Sequence, residues 1–393
     1  MLFCFLLLLF YLILIFLHLY GNMMILYNLG GDDMYNYVPI IDWKQGEQNA
    51  LLKLNSLTKN EIVPLFIINL SGRTYKQKEK AFTRSNEELL KYGKERFEKS
   101  IIKAWENRQY YFSLSDDWYK EFSNGKYSYE IFKDFFEFTK KITGNKGIPT
   151  FNTSSFMDHH EQIINENNYF CLKIVTEDIT RIEELTKLLS DSNLNESYID
   201  LIVDLRYIGS NDLKFKLYNL EQICKSNEFI SKFNKIIISS CSFPQSTDGL
   251  EQYKLLKFPR YEHQVHAKAK QLSQQYSFKY IYSDFGPLSI TSIDYKPWIQ
   301  SRFKMRYTTE NENLFYIGYT QKKGGFDFSE ISKACNILIK SDLYKGQDYS
   351  FGDDMIYKIA QKTVSKAGNT TSWITYSLNH HIELIEDYLK KEP

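Results

Sequence analysis

The stretch Tyr37–Leu54, YVPIIDWKQGEQNALLKL, changes hydrophobic period in mid-course. Val38, Pro39, Ile40 and Ile41 form a short apolar run of buried-strand type. Beyond Asp42-Trp43-Lys44 the apolar residues Ala50, Leu51 and Leu54 recur at helical spacing. A buried strand that ends in a polar corner and hands over to a helix is the repeating unit of α/β proteins, whose ligands bind at the carboxyl ends of the strands. Asp42, Trp43 and Lys44 stand at such an end.

The unit recurs down the chain. Ile62–Ile68 reads as a second strand closing on Asn69, followed by a charged helical segment from Lys76 to Trp105. Tyr110–Leu114 precedes a helix over Ile131–Ile142, whose aromatic stripe of Phe132, Phe135, Phe136 and Phe138 reads as core. Gly147–Phe151 leads to Asn152 and a short helix over Asp158–Ile164, and Tyr169–Val175, with Lys173 inside it, leads to a helix over Arg181–Leu189. Tyr198–Ile208 is the strongest strand signal and precedes a helix over Leu213–Cys224. Lys235–Ser240 and a helix over Glu262–Leu272 come before Phe278–Tyr282, the eighth strand. Eight strands alternating with seven helices over about 250 residues match the rhythm of a (β/α)8 TIM-barrel-like domain. The alternative, an open doubly wound sheet, predicts a Gly-rich phosphate turn after a strand, and no such turn is present.

From Ile290 the rhythm breaks. Lys304–Thr309 and Leu314–Gly318 read as a hairpin across the polar turn Glu310–Asn313, followed by helices over Ser329–Ile339, Asp353–Gln361 and Trp373–Leu389. The expected organisation is a leader over residues 1–33, a barrel over 34–290 and a C-terminal α+β extension over 291–393 that covers one mouth of the barrel. Residues 1–20 are continuous, apolar and long enough for a span of about 20 residues. They lack the basic flank and the small-residue cleavage site of a signal peptide. They read either as an anchor that leaves the body cytoplasmic, since the nearby basic residues all follow it, or as sequence upstream of a start at Met23, Met24 or Met34 in a cytoplasmic protein.

A formal net charge of +1 excludes a global field that recruits nucleic acid or an acidic membrane. The five cysteines are scattered and form no Cys-x-x-Cys pair, which reads as buried free thiols, not a disulfide framework or a zinc knuckle.

The candidate site residues lie mostly at strand ends. Asp204 and Arg206 alternate at period two and are expected on one face. Buried unpaired charge is costly, so they either form an ion pair bracing the barrel or meet a ligand at its mouth. As functional groups, Asp204 would act as general base or metal ligand, and the planar fork of Arg206 would clamp a phosphate or carboxylate. Lys173 is a Schiff-base candidate if desolvated, and otherwise pairs with a carboxylate, Asp204 being the obvious one. Asp42 and Lys44 read as a ligand-binding corner or a solvated one. Asp284 stands in a Gly-Pro turn, either for turn chemistry or for catalysis. Lys304 and Arg306 share one face of a hairpin strand and could hold an anion. His380 and His381 are adjacent on a helix, about 100° apart, so they do not bind one metal together, one facing inward and one outward. His159-His160 has the same limitation. No Walker loop, Gly-x-Ser-x-Gly turn or His-Glu-x-x-His helix is present. The one cofactor the carboxylates could support is a divalent metal between Asp204 and Asp284.

Tyr37-Val38-Pro39-Ile40, Trp43-Lys44-Gln45-Gly46-Glu47, Ile62-Val63-Pro64-Leu65, Asp204-Leu205-Arg206, Ser283-Asp284-Phe285-Gly286, Lys304–Thr309 and Asn379-His380-His381, in this order and spacing, resemble the bacterial and phage "beta protein" family from about Tyr35 to Leu389. The resemblance implies a chain beginning at the Tyr-x-Pro strand, which favours Met34 as the start, and a phage-associated or phage-defence setting with a phage-related component as partner. It implies no particular reaction. Two functions fit the residues. One is an enzyme, such as a hydrolase, acting on a phosphoester, nucleotide or nucleic acid. The other is a non-catalytic sensor or adaptor that binds a protein or nucleic-acid ligand.

Overall fold

The computed structural model describes residues 35–70, 75–76, 81–82, 84–123, 128–192, 198–288, 302–320 and 326–392. The apolar leader lies outside them. Among the described residues no helix is long and apolar enough to cross a membrane.

The strands in chain order are β1 (Tyr37–Asp42), β2 (Leu65–Ile68), the small hairpin β3 (Tyr75–Lys76) and β4 (Ala81–Phe82), β5 (Tyr110–Leu114), β6 (Gly147–Asn152), β7 (Tyr169–Val175), β8 (Tyr198–Tyr207), β9 (Lys235–Cys241), β10 (Leu255–Pro259), β11 (Tyr280–Asp284), β12 (Arg302–Thr308) and β13 (Glu312–Thr320). Eight of them close into a parallel barrel in the order β1-β11-β9-β8-β7-β6-β5-β2, the (β/α)8 architecture that the alternating periods predict. Along each strand one parity faces the helices. Phe66, Phe112, Leu172, Val203 and Ile238 belong to that outer core, with Phe112 packed on Phe132, Phe135 and Phe136 of the aromatic stripe. The other parity fills the interior.

The eighth helix of the barrel is the last helix of the chain, Thr370–Lys391, capped by Asn369. One flank lies on the first helix, Gln45–Leu52, where the Thr375 hydroxyl donates to the Gly46 carbonyl at 2.9 Å. The other flank meets the helix Glu262–Tyr276 through His266 and Glu392, 2.5 Å apart, and through the His263 and Tyr388 rings. β12, β13 and the helices between β11 and Thr370 are therefore an insertion ahead of the eighth helix. Their length in sequence is what hides that helix from a strand-by-strand reading.

The inserted sheet is antiparallel, in the order β10-β13-β12. β10 comes from the connection after β9. Its LLKFP is half-exposed and pairs with a strand more than fifty residues away, so no local signal marks it. Phe303, Met305, Tyr307, Leu314 and Tyr316 face the helices Phe328–Ile339 and Phe351–Ala360. Phe315 and Ile317, of the opposite parity, meet Cys241, Phe243 and Phe285, which lie at or just beyond the ends of β9 and β11.

Gly352 marks the tightest approach in the insertion. A Cβ there would lie 2.1 Å from the Tyr376 carbonyl oxygen, which belongs to the backbone and cannot rotate away. Gly352→Ala is expected to cost about 2–3 kcal/mol by forcing two helices apart. A lowered denaturation midpoint at unchanged slope is the result to look for.

Candidate functional site

At the end of β1 the chain splits its polar corner. Trp43 turns into the outer core, its indole N–H donating to Ser100 Oγ at 2.8 Å and its ring lying 4.4 Å from that of Phe66. Asp42 and Lys44 stay at the mouth, where the Lys44 ammonium donates to Asp42 Oδ2 at 2.6 Å. Desolvation pulls the Lys44 pKa down, but Asp42 outweighs it and leaves the ammonium raised above its ordinary value.

The first helix starts at once, and its opening turn buries Glu47, 3% exposed, on the face that also carries Ala50 and Leu51. Among the described residues Glu47 Oε2 has no hydrogen-bond partner. Burial pushes its carboxyl up to about 7; its own backbone N–H, Lys44 and Arg306 oppose this, and Asp42 reinforces it.

Across the mouth, Lys173 and Asp204 form the predicted pair, Nζ to Oδ2 at 3.0 Å. Asp204 Oδ1 also accepts from Ser239 Oγ at 3.2 Å and from the Arg206 backbone N–H at 2.8 Å. The expected common face for Asp204 and Arg206 does not form. Arg206 takes φ +54° and the pairing register slips between Asp204 and Tyr207, so Asp204 is buried while Arg206 is turned into solvent. A bulge of this kind re-aims a side chain that strict alternation would have kept in line.

β12 brings two more cations. Lys304 and Arg306 lie on its face opposite Phe303, Met305 and Tyr307. Among the described residues neither makes an ion pair or a hydrogen bond, and Arg306 Nε is buried without a partner. The guanidinium lies over Phe243 and Phe315, at 5.7 and 5.6 Å from the ring centroids. Burial lowers its pKa to about 10, against an opposing pull from Glu47. Burial, Arg306 and Arg302 lower the Lys304 pKa against a weaker pull from Asp248. Among the described residues no ion pair neutralises these two cations.

Asp284 and His380 are elsewhere. Asp284 stands on the opposite face from Ser283, which pairs in register with the inward Ser239. It points out of the barrel into the seam with the last helix. It accepts from Tyr37 Oη at 2.7 Å, Tyr282 Oη at 2.9 Å and the Gly286 N–H at 3.1 Å, and His381 Nε2 lies 3.0 Å away. Burial alone would raise its pKa; His381, Arg260 and Tyr37 overcome that and set it at about 2. Asp204 and Asp284 therefore do not converge, and the expected two-carboxylate metal site does not form. Among the described residues no group of three His, Cys, Asp or Glu side chains is placed to hold a metal.

The three residues Asn379-His380-His381 grip four different elements. Asn379 donates to the Ala50 carbonyl on the first helix and accepts from the Gly352 N–H. His380 places its ring nitrogens 2.7 Å from Asp353 Oδ2 and 2.7 Å from the Thr308 carbonyl, and stacks on Tyr307. His381 joins Asp284 to the Thr308 hydroxyl. Both histidines are buried, which corrects the expectation of one inward and one outward ring. His159 and His160 are both half-buried, outside this network.

Glu47 was not among the residues singled out from the sequence. The available signal was its place three residues before Ala50 and four before Leu51, which puts an acid on the apolar stripe of a helix that begins at a strand end.

The family model described as Beta protein matches residues 37–385. No curated protein matches the chain. Among solved structures, the biosynthetic arginine decarboxylase SpeA from Campylobacter jejuni is similar at 11% identity and a TM-score of 0.36, over 95% of this chain and 59% of that one. The chain thus spans about three fifths of that protein's length.

Proposed function

We propose, for a chain that belongs to the Beta protein family, that the barrel mouth binds an anionic ligand of the phosphoester, nucleotide or nucleic-acid class. The observation that carries this is Arg306, whose Nε is buried without a partner. A buried guanidinium N–H with no acceptor is costly, and an anion removes the cost. Its fork suits two oxygens of a phosphate or carboxylate. Lys304 adds positive charge beside it, and the inserted sheet supplies the wall through Phe315 and Ile317.

Holding the ligand, as a sensor or adaptor would, is favoured over turning it over. Asp204, the carboxylate best placed by sequence to act as base, is already engaged by Lys173, Ser239 and the Arg206 N–H. The resemblance to phage-associated chains adds a phage-related component as the natural source of such a ligand. The test is a panel of nucleotides, DNA, RNA and simple phosphodiesters with Mg²⁺ or Mn²⁺, given to the full chain and to Asp204→Ala. Saturable binding without turnover is expected. Turnover that Asp204→Ala abolishes, in a variant that melts like its parent, would replace this reading with a hydrolase. Binding to no member of the panel would end it.

A further inference from the structure

Two buried atoms of complementary chemistry, Glu47 Oε2 and Arg306 Nε, have no hydrogen-bond partner among the described residues. Each feels the charge of the other, yet no hydrogen bond or ion pair joins them. A carboxylate and a guanidinium that feel each other's charge ordinarily close into a charge-assisted pair. Here both elements are held in place. The first helix is pressed on the last one at Gly46, where a Cβ would lie 2.8 Å from Ile374 Cγ2. The guanidinium rests on Phe243 and Phe315.

We infer that the space between Glu47 and Arg306 seats the oxygens of a tetrahedral oxyanion, with Glu47 entering the complex as the neutral acid and donating its O–H to one oxygen while Arg306 donates to another. This rests on the anion-site reading above and specifies its chemistry. An ionised Glu47 would meet the ligand as acceptor against acceptor and charge against like charge, whereas the protonated acid supplies the one donor its side chain can have. The groups that set its protonation are all nearby. Asp42 at the end of β1 favours the acid, whereas Lys44, Arg306 and the Glu47 backbone N–H favour the carboxylate. From the last helix the residues packed on this turn are Thr371, Ile374 and Thr375, none of which titrates near neutrality.

Binding therefore takes up a proton from solvent whenever Glu47 starts ionised. The sign is fixed by linkage: the bound state favours the protonated form, so affinity is full below the titration of the free-protein Glu47 and falls as pH rises through it. The limit is about tenfold per pH unit for one proton. With the Glu47 carboxyl raised to about 7, that decline falls in the weakly alkaline range.

Sulfate is the probe for the proton count, because it does not itself titrate near neutrality. Calorimetry on the full chain at weakly alkaline pH, in two buffers of different ionisation enthalpy, should report uptake approaching about one proton per sulfate bound. Glu47→Gln keeps a donor and loses the titration, so it should bind sulfate with no proton uptake and a flat pH profile. Wild-type binding without uptake, or uptake that survives in Glu47→Gln, overturns the role of Glu47 while leaving the anion site standing. Failure of the wild-type chain to bind either sulfate or inorganic phosphate at any pH overturns the anion site itself.

Discussion

Replacing Asp284 with alanine is expected to lower the stability of the fold by about 3–5 kcal/mol, the cost of breaking a buried, hydrogen-bonded charge network by removing one member. The carboxylate accepts from Tyr37, Tyr282 and the Gly286 N–H and faces His381. Without it, two buried phenols and an imidazole lose their partner in the seam where the eighth strand, the first strand and the last helix meet. Asp284→Asn, which keeps acceptors but loses charge, should cost less. The same network predicts an acid limb. The folded-state pKa of Asp284 is depressed to about 2 from 3.8, so its contribution is fully present above the unfolded value and is lost as pH falls through the folded one. For this shift the contribution is about 2 kcal/mol. Denaturant melts of the wild-type chain between neutral pH and strong acid should show that loss, and the alanine variant should show less of it.

Arg306→Met is expected to act in the opposite direction on stability and to abolish anion binding. The methionine keeps much of the apolar stem against Phe243 and Phe315 while removing a guanidinium whose Nε is buried unpaired. Relieving that desolvation should stabilise the fold by about 1–2 kcal/mol. It would also lower the Glu47 pKa-depressing field, so the Glu47 carboxyl should titrate higher in the variant. Thermal melts and sulfate or nucleotide titrations on the same sample separate the two effects. A destabilised variant would mean that Arg306 is structural, and retained binding would place the ligand elsewhere.

The architecture was legible because period carries it. Buried runs such as Ile236-Ile237-Ile238 and helical stripes such as Phe132-Phe135-Phe136 follow from local sequence alone. The Lys173–Asp204 pair was legible for a related reason: a cation and an acid within adjacent buried strands have few other partners. What local sequence does not hold is a register slip or a distant partner. The bulge after Asp204 turned Arg206 away from the expected face. Asp284 has the parity of the outer wall, and its partner His381 lies 97 residues later. The same distance effect concealed β10, which finds its pairing partner only after the barrel has closed. Glu47, quoted only within a motif, was not taken as a site residue because an acid in the first turn of a helix ordinarily serves the helix dipole in solvent, and the last helix that packs on this turn comes more than three hundred residues later.

Tungstate, a tetrahedral oxyanion with a strong anomalous signal, locates an anion between Arg306 and Glu47 directly. A crystal of the full chain grown with tungstate should show an anomalous peak in the mouth within hydrogen-bonding reach of the Arg306 guanidinium and the Glu47 carboxyl, beside Lys304. A guanidinium closed onto the Glu47 carboxylate, with no peak between them, would contradict the account.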